Sequence, residues 1–149
     1  MKLVLYDDFK PGLIKGDDVV DIGPSVVSVV GGGAPQEIMQ KIITNFTALR
    51  PEMEHILASG VTRSLSSVRL RAPLPRPRKI LCCIGNYMEG AQRDRRPQDF
   101  FLKSPEAVIG NGDTVVLPDY PANIFHHEAE LGVVIGSAAT RVKEADAMS

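Results

Sequence analysis

Apolar and polar positions change their period along the chain. Over residues 2–30 the apolar residues come in short runs: "KLVLY", then pairs in "PGLIKGDDVVDIG" separated by Gly and Asp, then the β-branched "SVVSVV". Runs of this length bounded by turn formers predict short strands. After "GGGAPQEIMQ" the period lengthens. Ile38, Ile42, Phe46, Leu49, Met53 and Ile56 recur at spacings of four and three, which is one face of a helix. Pro35 suits the first turn of that helix. Pro51 is expected to kink or restart it near Arg50, and Gly60 to stop it.

Pro73, Pro75 and Pro77 then alternate in "RAPLPRPRK", a composition that keeps the backbone extended and semi-rigid. This stretch is the expected boundary between a small N-terminal α+β domain, residues 1–72, and a second, mostly β domain, residues 73–149. In the second, "KILCCIGNY" reads as a buried strand running into a polar turn and "RDRRPQDF" as a charged loop. "FFLKS" reads as a short strand, "GNGDTVVLP" as a turn and strand, and "FHHEAELGVVIG" as a long strand. The fold class expected from this order is α+β.

Composition narrows the function classes. A chain of 149 residues with 44% hydrophobic and 23% charged content has the make-up of an ordinary globular domain. A net charge of −1 gives no pull toward nucleic acid or an anionic membrane, and 5% aromatic content offers no stacking platform for bases. No apolar run approaches the ~20 residues of a membrane span. Two Asp follow "MKLVLY" too early for a signal peptide. Cys82 and Cys83 are adjacent, so on a strand they face opposite ways and read as small hydrophobes. A cytoplasmic protein is expected. The "GGG" before the helix has Gln36 where GxGxxG needs its last glycine, and no Lys-Ser/Thr follows. It reads as a flexible turn, not a phosphate loop.

The most informative stretch is "IFHHEAELGVVIG". On a strand His126, Glu128 and Glu130 share one face, and residues two apart sit ~6.6 to 7 Å apart at Cα. Two carboxylates that close, heading into an apolar element, repel each other and lose hydration. A divalent cation between them relieves both penalties, and oxygen donors suit magnesium, manganese or calcium rather than zinc. A solvated strand face, with both glutamates in water, explains the same pattern. "HHEAEL" is not HExxH, which excludes the zinc-protease arrangement. His126 and His127 have no visible orienting partner and read first as strand-end histidines.

Taken together, "KILCCIGNYMEGAQR", "FFLKSPEAVIGNGDTVVLP" and "FHHEAELGVVIGSAATRVKEADAM" resemble, in order and spacing, the opening segments of the fumarylacetoacetate hydrolase family. Residues 1–72 resemble, more weakly, the small N-terminal domain that many members carry. The resemblance implies a mixed β-roll catalytic fold, a homodimer, and chemistry on 2-oxo or β-keto (di)carboxylic acids, as in aromatic catabolism. The reactions are C–C hydrolysis, decarboxylation or keto–enol isomerisation through a metal-stabilised enolate. It implies a magnesium or manganese ion on Glu128 and Glu130, with an aspartate further along the chain. Lys103 matches the Phe-x-Lys position and would hold a carboxylate or polarise a carbonyl; the alternative is a solvated strand-end lysine. Asn86 and Tyr87 form the matched turn of the substrate site.

Two departures qualify that implication. Many hydrolytic members place His and then Glu after Asn-Tyr, whereas here Gly90 and Arg93 stand at those places. Without an imidazole, water has no evident general base, which favours isomerisation or decarboxylation over hydrolysis. Arg93 could instead grip a dicarboxylate bidentately, or lie in an exposed loop. The family's third ligand would fall beyond Ser149, and Asp146 is the one later Asp here. The chain is therefore expected to need completion, by further chain or by a partner. The alternative is a catalytically inactive truncated product that serves at most as an interaction module.

Overall fold

The computed structural model describes residues 1–87, 97–121 and 124–148. They form two compact units, Met1–Thr114 and Val115–Ser149, each described by itself.

The first unit opens with a meander. Strands β1 (Leu3–Tyr6), β2 (Lys10–Lys15) and β3 (Asp18–Asp21) pair antiparallel, with Leu3 opposite Leu13 and Leu13 opposite Val20. Helices α1 (Gly23–Val30), α2 (Ile38–Thr44) and α3 (Phe46–Ser59) follow, then β4 (Thr62–Ser64) and β5 (Leu70–Arg71). The sheet order is β4-β3-β2-β1-β5. One face carries Leu5 and Leu13 into a core shared with Ile22, Val26, Ile38, Met39, Ile42, Leu49 and Met53. The alternation of β1 and β2 and the helical period of 38–56 thus meet in one apolar layer.

The other face is also filled near its middle. Tyr6 and Val19 are buried, and a Cβ on Gly12 would lie 2.6 Å from Val19 Cγ2, so glycine is needed there. Burial, reinforced by the Asp21 carboxylate, pushes the Tyr6 phenol up to about 12.

Two elements of the N-terminal half differ from the sequence expectation. "SVVSVV" lies in helix α1, not in a strand. Asp21 Oδ1 accepts the Gly23 N–H at 2.7 Å, Pro24 sits in the first turn, and Val26 reaches the core while Val27 and Val29 stay exposed. A β-branched residue costs a helix at most ~0.7 kcal/mol against alanine. Burying one valine returns about 1.5–3 kcal/mol, so packing decides. The long helical face also breaks at Asn45 rather than near Arg50, and α3 runs through Pro51. Asn45 (φ −109°, ψ 20°) leaves the helical region, and its side-chain amide donates to the Lys41 carbonyl at 2.9 Å. The Asn45 N–H donates to the same carbonyl at 3.1 Å, so the side-chain bond adds to the last ladder bond of α2 and does not replace it. Gly60 ends α3 as expected. A Cβ there would lie 2.5 Å from Val20 Cγ1 and 2.6 Å from the Ile56 carbonyl oxygen.

Residues 72–79 contain no regular element, in keeping with their prolines. β6 (Ile80–Ile84) and β7 (Asp99–Lys103) then form an antiparallel pair; β6, expected as a buried strand, buries Cys82 but exposes Leu81 and Ile84, because among the described residues the pair stands as a two-stranded sheet. In the second unit a single 3₁₀ turn, Glu144–Asp146, is the regular element among the described residues. Residues 125–136, expected as a long strand, and residues 114–117, expected as the strand of "GNGDTVVLP", join no described ladder, and Leu131, Val133 and Ile135 are exposed. Alternation sets which way side chains point, but a strand forms only where another backbone accepts its hydrogen bonds. Among the described residues no helix is long and apolar enough to cross a membrane.

Candidate metal and substrate site

The β6–β7 hairpin positions three of the residues singled out from the sequence. Its register pairs Ile80 with Lys103, Cys82 with Phe101 and Ile84 with Asp99. Cys82 is buried and Cys83 half-buried, both as free thiols, so the adjacent cysteines do face different surroundings. Beyond Ile84 the chain turns at Gly85, whose φ of 58° suits glycine. Asn86 and Tyr87 follow, both exposed. Lys103 stands at the other end of the pair, opposite Ile80. Four strand residues span about 13 Å, so the register does not bring Lys103 beside the Asn86–Tyr87 turn. The Lys103 ammonium lies 5.6 Å from the centre of the Phe101 ring, a contact worth roughly 0.5–1 kcal/mol at an exposed site. Gly90 and Arg93 lie outside the described residues.

Glu128 and Glu130 belong to the second unit and are exposed, as are His126 and His127. Their carboxylate oxygens are the donor type that magnesium, manganese and calcium take. Two such side chains supply part of a hard-cation shell. Among the described residues no group of three His, Cys, Asp or Glu is placed to hold a metal ion. The two carboxylates are of the donor type a divalent cation takes, while the strand expected to set them on one face is not formed.

One constellation was not singled out from the sequence. Asp7, Arg63, Arg69 and Asp113 form a connected set. Asp7 accepts from the Arg69 backbone N–H at 3.0 Å and from Arg63 at 3.1 Å; Asp113 accepts from Arg69 at 2.6 Å. The Arg69 N–H, aided by the Arg63 guanidinium, holds the Asp7 carboxyl below the usual carboxylate range. The Gly110 N–H, then Arg69, does the same for Asp113. The signal available in the sequence was "GNGD", a turn whose Asp can cap its own backbone. Its partner, more than forty residues earlier in Arg69, was not legible.

The fold is mixed α+β, with three helices and antiparallel sheets among the described residues. The crystal structure of maleylpyruvate hydrolase from Sphingobium sp. SYK-6, in complex with manganese(II) and pyruvate, superposes with a TM-score of 0.65 at 30% identity. The match covers 81% of this chain and 44% of that one. Residues 79–149, which include Lys103, Glu128 and Glu130, match the family model described as fumarylacetoacetate (FAA) hydrolase C-terminal, so this segment is similar to that family. The oxaloacetate tautomerase YisK of Bacillus subtilis is 41% identical over 91 residues, 56% of this chain and 30% of that relative. The maleylpyruvate hydrolase of Aquipseudomonas alcaligenes is 25% identical over 158 residues, 95% of this chain and 55% of that relative. The chain thus spans between about a third and just over half of these relatives' length.

Proposed function

We propose that this chain contributes the opening hairpin and the glutamate pair of a divalent-metal enzyme acting on 2-oxo or β-keto (di)carboxylic acids. The observation that carries the reading is the ordered set of motifs within 79–149, the segment matched to the family model. In this reading Glu128 and Glu130 hold magnesium or manganese, with calcium a poorer substitute. A cation held there by Glu128 and Glu130 would supply Lewis-acid chemistry to a 2-oxo acid. The chain's own residues bind and orient. Lys103 offers an ammonium to a substrate carboxylate. Arg93 offers a planar fork for a second carboxylate. Asn86 offers an amide and Tyr87 a phenol as hydrogen-bonding groups. Because the hairpin register separates Lys103 from the Asn86–Tyr87 turn, their side chains must reach along the hairpin to meet one small substrate.

Keto–enol isomerisation is the favoured reaction within this class, because Gly90 and Arg93 provide no imidazole to activate water. The relatives support both branches, one being an oxaloacetate tautomerase and another a maleylpyruvate hydrolase. We further assign a homodimer and a cytoplasmic setting, with no nucleic-acid or membrane partner. The test is a pair of assays on the protein made from its complete reading frame, with manganese. Ketonisation of enol-oxaloacetate should be accelerated, while maleylpyruvate should be cleaved at least a hundredfold more slowly than it would be with a general base in place. Rapid cleavage of maleylpyruvate with no effect on oxaloacetate would reverse the assignment.

A further inference from the structure

The turn that ends the first unit is seated on the N-terminal sheet by bonds that the metal reading does not use. Asp113 Oδ1 accepts from Arg69 Nη2 at 2.6 Å, and Oδ2 accepts the Gly110 N–H at 2.8 Å. The Asp113 N–H returns to the Gly110 carbonyl at 3.1 Å. Arg69 directly precedes β5, and its backbone is itself tied at both groups. Its N–H donates to Asp7 Oδ1 at 3.0 Å, and its carbonyl accepts the Asp7 N–H at 2.8 Å.

An exposed ion pair alone holds little, so the backbone contact matters. A Cβ on Gly110 would lie 2.9 Å from the Ala72 nitrogen and 3.2 Å from the Arg71 carbonyl carbon. Ala72 is buried. The turn therefore rests against the end of β5, at a distance only glycine permits, and the carboxylate closes over it.

The chain leaves the first unit at Thr114, the residue after Asp113, and the segment that follows carries Glu128 and Glu130. We propose that Asp113 and Arg69 form a clasp by which the N-terminal domain fixes the start of the glutamate-bearing segment. Asp113 is then a positioning residue, and its effect on metal rests on the site proposed above. On this account the Arg69–Asp113 pair fixes the point at which the glutamate-bearing segment leaves the first unit.

Three variants of the complete protein test the clasp. Arg69→Ala removes the guanidinium but leaves the backbone bonds to Asp7. Arg69→Lys restores a cation. Asp113→Asn keeps an acceptor for Gly110 and discards the charge. Two quantities are read: amide hydrogen exchange at 110–113 and manganese affinity by calorimetry, with exchange in β1–β3 as the folding control. R69A and D113N are each expected to speed exchange in the turn about tenfold and weaken manganese about tenfold, since small misplacements of a site have effects of that size or larger. R69K should recover most of both. Unchanged exchange in R69A would overturn the clasp. Faster exchange with wild-type manganese affinity would overturn the positioning role. Wild-type protein that binds no manganese would overturn the metal reading and the positioning role with it, while the exchange data would still decide whether the clasp exists.

Discussion

Glu130→Ala is expected to abolish metal-dependent turnover in the complete protein. A metal ion used as a Lewis acid supplies several kcal/mol to the transition state, so losing it should lower kcat by about a thousandfold or more. The same substitution should erase the stabilisation that manganese confers. At a hundred times its dissociation constant, a ligand that binds only the folded state adds about 2.7 kcal/mol, and E130A should show none of it. Melting curves with and without manganese, alongside oxaloacetate ketonisation, check both. Full turnover in E130A would mean that the glutamate pair is a solvated face. Glu128→Ala should behave the same way, because neither carboxylate alone makes a hard-cation site.

The second large effect lies in the core of the first unit. Ile42 is fully buried where α2 faces Leu5, Leu13 and the other core residues. Ile42→Ala removes three methyl or methylene groups and leaves a cavity that helices packed on a sheet close only in part. The expected cost is about 2–5 kcal/mol, a large share of the ~5–15 kcal/mol that holds a typical domain together. Val61→Ala, at a position 92% exposed, should cost no more than ~0.5 kcal/mol. Urea denaturation of the two variants beside wild type measures the contrast. If I42A shifts the midpoint no further than V61A, the core is elsewhere.

How far these features could be read in advance depended on where their causes lie. The face made by Ile38, Ile42, Leu49 and Met53 was legible because its period is local, and the structure buries all four. Strands β1, β2, β3, β6 and β7 were legible for the same reason, each being a short apolar run bounded by Gly, Asp or Pro. "SVVSVV" was misread because β-branched residues favour strands only when a sheet edge is available. Here Pro24 stands in the first turn of a helix, the Asp21 carboxylate accepts the Gly23 N–H just before it, and Val26 finds the core. The break at Asn45 was missed because a proline nearby looked like the stronger signal, whereas the backbone leaves helical dihedrals at Asn45 and continues as helix through Pro51. Of the site, Glu128 and Glu130 stood out as two carboxylates in an apolar stretch, a local anomaly. The separation of Lys103 from the Asn86–Tyr87 turn did not, since register is set by pairing between distant segments. The Arg69–Asp113 bond joins residues far apart in sequence and leaves no local trace.

The central claim is that Glu128 and Glu130 belong to a divalent-metal site serving an oxo-acid enzyme. The most direct measurement is a calorimetric titration of manganese into the complete protein and into its Glu128→Gln and Glu130→Gln variants, which keep size and hydrogen bonding but remove the charge. The account predicts one saturable site in the wild type, strengthened by pyruvate as a 2-oxo acid, and no site in either variant. Equal manganese binding by wild type and both variants, or none by the wild type, would contradict it.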